Sequence, residues 1–290
     1  MPASLEQVEQ TIARLHQAAE ASRTTAARRG NVVVLGPAEA DEVFLTGDLH
    51  GNRRNFDRLL DLADLDGHPR RHLVLQEVCH GGPTYPNGGG CMSHTLLEDV
   101  ADLKVRYPDR LHFLLGNHEL AELADFPIQK NRQMLNLVFR VGLEQHYGPA
   151  IGVIREAYAA FFRGCPLAVR LASGLFISHS LPERVDVFGF DVDVFNRPLA
   201  PHEFRERGAV FELLWGRDYR EANAAAFAEL VGARLLINGH EPCAEGHSSP
   251  NPRQIILDCC GRRACYLILP TDREFTHDEV LARVATLREG

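Results

Sequence analysis

The chain has 290 residues, 45% of them hydrophobic and 24% charged, which is the composition of a folded globular protein and excludes a disordered or fibrous one. Its 31 Lys+Arg and 39 Asp+Glu give a net charge of −8, so neither nucleic acid nor an anionic membrane is expected as a partner. No run reaches the roughly 18 consecutive apolar residues of a membrane span. The N-terminus lacks the basic start and apolar core of a secretory signal, and the seven cysteines form no paired CxxC motif; a cytoplasmic protein with reduced thiols is expected.

Leu5, Val8, Ile12 and Leu15 recur at helical spacing, which predicts an amphipathic helix stopped by Gly30 and forming an extension over residues 1–30. Five short apolar runs follow, each with the length and composition of a buried strand. Val43-Phe44-Leu45 leads to Asp48 and His50, and Leu73-Val74-Leu75 leads to Glu77. Gly81 to Cys91 is a loop by composition and is expected to rim any site near Glu77. Ser93 is placed to cap a helix running to about Val105. Phe113-Leu114-Leu115 then leads to Asn117 and His118, and residues 128–163 carry a helical period. Leu175-Phe176-Ile177 leads to His179; residues 202–214 and 222–231 are again helical by period; Leu235-Leu236-Ile237 leads to His240. Ile255 to Leu257 and Ala264 to Leu269 read as strands, and Thr276 can cap a last helix within 276–290. With no repeat and no low-complexity linker, residues 1–290 are expected to form a single domain.

Each apolar run ends in a residue type that binds metals or moves protons. In layered α/β proteins ligands sit beyond the carboxyl ends of the strands. Residues two apart at a strand end share a side, so Asp48 and His50 are placed to grip one cation. Asn117 offers a side-chain oxygen to a second, and His179 and His240 complete its shell. Glu77 is the natural bridge between the two. This oxygen and imidazole set suits Mn, Fe or Zn. Two cations about 4 Å apart can hold a hydroxide and stabilise both ends of an in-line displacement at phosphorus. His118, adjacent to Asn117, is free to aim at a leaving group as a general acid.

Gly47-Asp48-Leu49-His50-Gly51 and Gly116-Asn117-His118-Glu119 resemble the GDxHG and GNHE signatures of calcineurin-like metallophosphoesterases, most closely those of the phosphoprotein (serine/threonine) phosphatases. The likeness extends through residues 96–119, 161–182 and 212–218 to the INGHEP segment, within about Val43 to Gly246. It implies an α/β fold of four layers, α/β/β/α, in which two mixed sheets are flanked by helices. It also implies two divalent or trivalent metal ions and direct attack by a bridging hydroxide, without a phosphoenzyme. Asp48, His50 and Glu77 would hold the first ion; Asn117, His179 and His240 would hold the second, with Glu77 shared. His118 would be the leaving-group acid. The substrate would be a phosphorylated protein or a small phosphoester. A nucleotide hydrolase resembling diadenosine tetraphosphatases and a non-catalytic phosphate-binding module are the alternatives.

The second family motif, GDxVDRG, is altered here. Glu77 stands where an Asp bridges the metals, and His80 stands where an Asp orients the catalytic histidine. His80 can accept a hydrogen bond from His118 and joins it as a catalytic candidate, but a neutral imidazole lacks the charge of a carboxylate. An altered pH dependence and a lower rate are expected. Gly81 and Leu115 replace two arginines that hold phosphate in the family, leaving Arg217 and then Arg53 as the phosphate-binding candidates. Cys259, Cys260 and Cys265 read as small buried hydrophobes.

Overall fold

The structure is a computed structural model, and it describes residues 2–287. Its helices are α1 (Leu5–Arg23), α2 (Arg53–Ala63), α3 (Ser93–Arg106), α4 (Asn117–Ala124), α5 (Leu135–Tyr147), α6 (Ile151–Gly164), α7 (Val185–Phe188), α8 (Ala209–Trp215), α9 (Glu221–Leu230) and α10 (His277–Leu281). Its first strands are β1 (Arg28–Arg29), β2 (Val32–Leu35), β3 (Glu42–Asp48), β4 (Arg71–Gln76), β5 (Leu111–Leu114), β6 (Gln129–Lys130) and β7 (Gln133–Met134). The remainder are β8 (Ala168–Leu171), β9 (Leu175–Ser178), β10 (Leu235–Asn238), β11 (His247–Asn251), β12 (Gln254–Leu257), β13 (Cys265–Pro270) and β14 (Ala285–Thr286).

Two mixed sheets form the centre. One has the order β1-β2-β8-β9-β10-β12-β11 and the other β14-β13-β3-β4-β5. Within them β3, β4 and β5 run parallel, as do β9, β10 and β12. The central strands are buried at nearly every position because both of their faces are covered. Val43, Leu45 and Val74 meet Leu175, Ile177 and Ile237 in a core between the sheets. The intervening residues Phe44, Leu73, Leu75, Phe176 and Leu236 point outward, into the cores beneath the helices. Each of these side chains contributes about 1.5–3 kcal/mol relative to exposure. The two sheets touch where β3 ends: Asp48 bridges Asp258, and Asp48 O accepts the Cys259 N–H at 3.0 Å. That corner brings the carboxyl ends of five strands, from both sheets, to one place.

Several predicted boundaries shift. α1 ends at Arg23, six residues short of the expected reach, and Leu5 is 74% exposed, so Val8, Leu15, Ala18 and Ala19 form its buried stripe. Gly30 instead occupies the β1–β2 turn at φ +60°. Ser93 begins α3 rather than capping it, and its Oγ accepts the His80 backbone N–H at 3.2 Å. The helical period over 128–163 is broken twice. Asn131 and Arg132, at φ 52° and 63°, form the tight turn of the β6–β7 hairpin. Gly148-Pro149 then separates α5 from α6. Over 202–214 a short 3₁₀ turn precedes α8. The expected C-terminal helix is confined to α10, after which β14 pairs with the edge of β13; residues 288–290 lie outside the described residues. Among the described residues no helix is long and apolar enough to cross a membrane. All seven cysteines are free thiols.

Candidate metal centre

Beyond β3, β4 and β10 the chain turns sharply, and the turns carry strain. His50, Glu77, His80 and His240 have φ of 43°, 41°, 66° and 70°, the left-handed region that L side chains avoid. Such residues cost of order 1–3 kcal/mol each and persist where the surroundings over-determine them. Two glycines make room. A Cβ on Gly116 would lie 2.5 Å from Glu77 Oε2, and one on Gly239 would lie 2.3 Å from Asp48 Oδ1.

Glu77 sits at the centre with its two oxygens facing two groups. Its Oε2 lies 2.9 Å from His179 Nε2. Around that point Asn117 Oδ1 is 2.9 Å from His179 Nε2 and 2.8 Å from His240 Nδ1, and the two ring nitrogens are 3.1 Å apart. This inner group also includes Asp48, whose Oδ1 lies 3.7 Å from His179 Nδ1. Glu77 Oε1 faces an outer group, 3.2 Å from His50 Nε2 and 3.6 Å from His118 Nε2.

The partners of the rings show which nitrogens hold free lone pairs. The Nδ1–H of His50 donates to Cys79 O at 3.2 Å, leaving Nε2 toward Glu77. The Nδ1–H of His179 donates to Gln76 Oε1 at 3.3 Å, leaving Nε2 toward the inner cluster. Asp48 Oδ2 accepts the His240 backbone N–H at 2.8 Å, while Asp48 Oδ1 is buried without a hydrogen-bond partner among the described residues. Electron pairs from two oxygens and two nitrogens thus converge, with an orphaned carboxylate oxygen beside them. A cation is the group that satisfies all of them, so this donor set fits the metals that the sequence implies.

The charges gathered here act strongly on one another. Burial raises Glu77, but the imidazoles of His118, His179 and His50 outweigh it and hold its carboxyl well below the usual range. Burial, then the charge of Glu77, raises Asp48 to about 7. Burial alone would lower His179, yet Glu77 and Asp48 raise it to about 9. Burial pushes His118 and His240 well down.

The structure thus gathers Asp48, His50, Glu77, Asn117, His118, His179 and His240. The grouping differs from the one read in sequence, because Asp48 stands with Glu77 and His179 while His50 stands with Glu77 and His118. The strand ends at Asp48 and the left-handed turn at His50 cancels the alternation that would put both on one side. Arg217 is bonded to Glu241, the residue after His240, and its charge acts on His240. Arg53 is not brought to the cluster: it pairs with Asp99 and Asp57 and lies over the Phe56 ring. Cys79 is buried and its thiol is pushed well up, as suits an inert packing residue.

Three residues missed in sequence support the cluster. Gln76 ties His179 to β3, its Nε2 donating to Thr46 O at 2.8 Å. Glu119 accepts the Val78 and Cys79 N–H groups at 2.9 and 2.7 Å and so fixes the turn that presents Glu77. Glu122 lies behind His80: the two histidine Nδ1 atoms of His80 and His118 are 2.8 Å apart, and His80 Nε2 is 3.0 Å from Glu122 Oε1. The available signals were a glutamine closing an apolar strand, and a glutamate one helical turn after His118.

A family model described as calcineurin-like phosphoesterase matches residues 42–244. Among solved structures, the chain is similar to a protein serine/threonine phosphatase from Saccharomyces cerevisiae with similarity to human phosphatase PP5. That match has a TM-score of 0.68 and 15% identity, covering 98% of this chain and 90% of the other. It is also similar to a cold-active protein-tyrosine phosphatase of a psychrophilic Shewanella species, with a TM-score of 0.54 and 12% identity, covering 93% of this chain and 84% of the other. At these identities the likeness is one of fold. A comparison with curated proteins finds no matching sequence.

Proposed function

The chain belongs to the calcineurin-like phosphoesterase family, and from that premise we propose that it is a metal-dependent phosphomonoesterase acting on phosphoserine or phosphothreonine in proteins. The observation that carries this reading is the division of Glu77, whose two oxygens face separate groups of donors. Asp48, Asn117, His179 and His240 would hold one cation with Glu77, and His50 would hold the other with Glu77. Bound there, the cations would polarise the phosphoryl oxygens and make a water acidic enough to be deprotonated at neutral pH. Gln76 and the Cys79 carbonyl keep the nitrogens of His179 and His50 turned inward. His118 delivers a proton from Nε2 to the departing oxygen. Arg217 exchanges Glu241 for a non-bridging phosphate oxygen.

The serine/threonine phosphatase named among the similar structures supports the choice of substrate. The test is turnover, with added Mn, of a phosphoserine peptide, a phosphotyrosine peptide and a dinucleoside tetraphosphate, alongside elemental analysis of bound metal. The reading expects the phosphoserine peptide to give the highest kcat/KM. Preference for the dinucleotide would move the assignment to a nucleotide hydrolase. Two metals per chain with no turnover of any substrate would make the protein a binding module.

A further inference from the structure

We propose that Glu122 is a positioning residue that fixes the imidazole of His118, acting through the tautomer of His80. The proposal rests on the phosphomonoesterase reading above. The three side chains form a line: His118 Nδ1 to His80 Nδ1 at 2.8 Å, and His80 Nε2 to Glu122 Oε1 at 3.0 Å. The His80 side chain has no exposed surface and that of Glu122 is 5% exposed, so water does not compete for either contact.

The direction of the hydrogen bonds follows from the far end. Glu122 already receives Asn136 Nδ2–H at 2.8 Å on Oε1 and Arg140 Nε–H at 3.3 Å on Oε2. A carboxylate held by two donors is an acceptor, so it takes the Nε2–H of His80. Neutral His80 then has its lone pair on Nδ1 and accepts the Nδ1–H of His118. His118 is left with Nε2 as the nitrogen facing Glu77, 3.6 Å from Oε1. As an imidazolium, His118 therefore passes its Nε2 proton to the departing oxygen and returns to the neutral ring that keeps its Nδ1 proton, still donated to His80. A carboxylate missing from position 80 is thus supplied from one turn along α4, with a histidine between. The field of Glu122 reaches His118 through a dry, low-dielectric interior, where it is weakly screened.

Glu122→Gln is the direct probe. The amide can donate to His80 Nε2, which turns the Nδ1–H of His80 toward His118 and reverses the chain. The Mn-loaded variant should turn over phenyl phosphate roughly 10²-fold more slowly in kcat, with KM and metal content unchanged, because a poor leaving group needs the proton. With p-nitrophenyl phosphate, a good leaving group, the loss should be only a few-fold. Adding His80→Asp to Glu122→Gln puts a carboxylate directly against His118 and should restore phenyl phosphate turnover. Equal losses on both substrates, or no loss on either, would overturn the proposal. Should Glu122→Gln fail to fold, the zinc-loaded wild-type protein still tests it by ¹⁵N NMR of the histidine rings. A proton on His80 Nε2 is expected, and a neutral His80 protonated on Nδ1 instead would overturn it. Wild-type protein that hydrolyses neither phenyl ester would count against the phosphomonoesterase reading, while the NMR result decides the tautomer separately.

Discussion

The two donor groups that share Glu77 are built differently. In the inner group the side chains of Asp48, Glu77 and His179 are at most 5% exposed, and its donors come from strand ends of both sheets. Gln76 and the His240 backbone brace it from behind. In the outer group His50 and His118 are 18% and 11% exposed and meet a single oxygen of Glu77. The inner group is a closed cage suited to holding an ion, while the outer group is partly open to solvent, the side from which the proposed phosphoester would arrive. An inner cation should therefore bind more tightly than an outer one, with Glu77 as the side chain that both groups share.

Removing Glu77 is the harshest way to break this comparison. Glu77→Ala should empty both positions and reduce hydrolysis to background, as read by elemental analysis and turnover; retention of either ion at full occupancy would show that the groups do not depend on it. His118→Ala should spare the metals and slow turnover by roughly 10²–10⁴-fold, with the larger loss on poor leaving groups. If it loses an ion instead, His118 is a ligand of the outer group. Gln76→Leu should weaken the inner position alone, by about 10–100-fold in metal affinity, measured by competition with a chelating dye; equal weakening of both positions would erase the distinction. Arg217→Ala should raise KM several-fold, whereas Arg53→Ala, whose partners lie on α2 and α3, should leave KM unchanged and shift stability by no more than about 0.5 kcal/mol.

The strand ends are legible in the sequence because two-sided burial writes itself as an unbroken apolar run, and a polar residue two or three positions past the run is the one delivered to the site. Asp48, Glu77, Asn117, His179 and His240 all follow that logic. What the sequence hides is pairing at a distance. Gln76 meets His179 across 103 positions, and Glu122 meets His80 across 42. Nothing in local periodicity marks either contact. Helical period likewise runs on through 128–163, because it registers spacing and not the left-handed pair Asn131-Arg132 that folds the chain into a hairpin. Arg53 misleads for a related reason: charge and proximity in sequence suggest a phosphate ligand, yet Asp99 captures the guanidinium on the helical surface.

The shared role of Glu77 is tested most directly by anomalous diffraction from crystals grown with Mn. The account predicts two peaks roughly 3.5–4 Å apart, each within bonding distance of a different Glu77 oxygen. A single peak, or two peaks of which one does not touch Glu77, would contradict it.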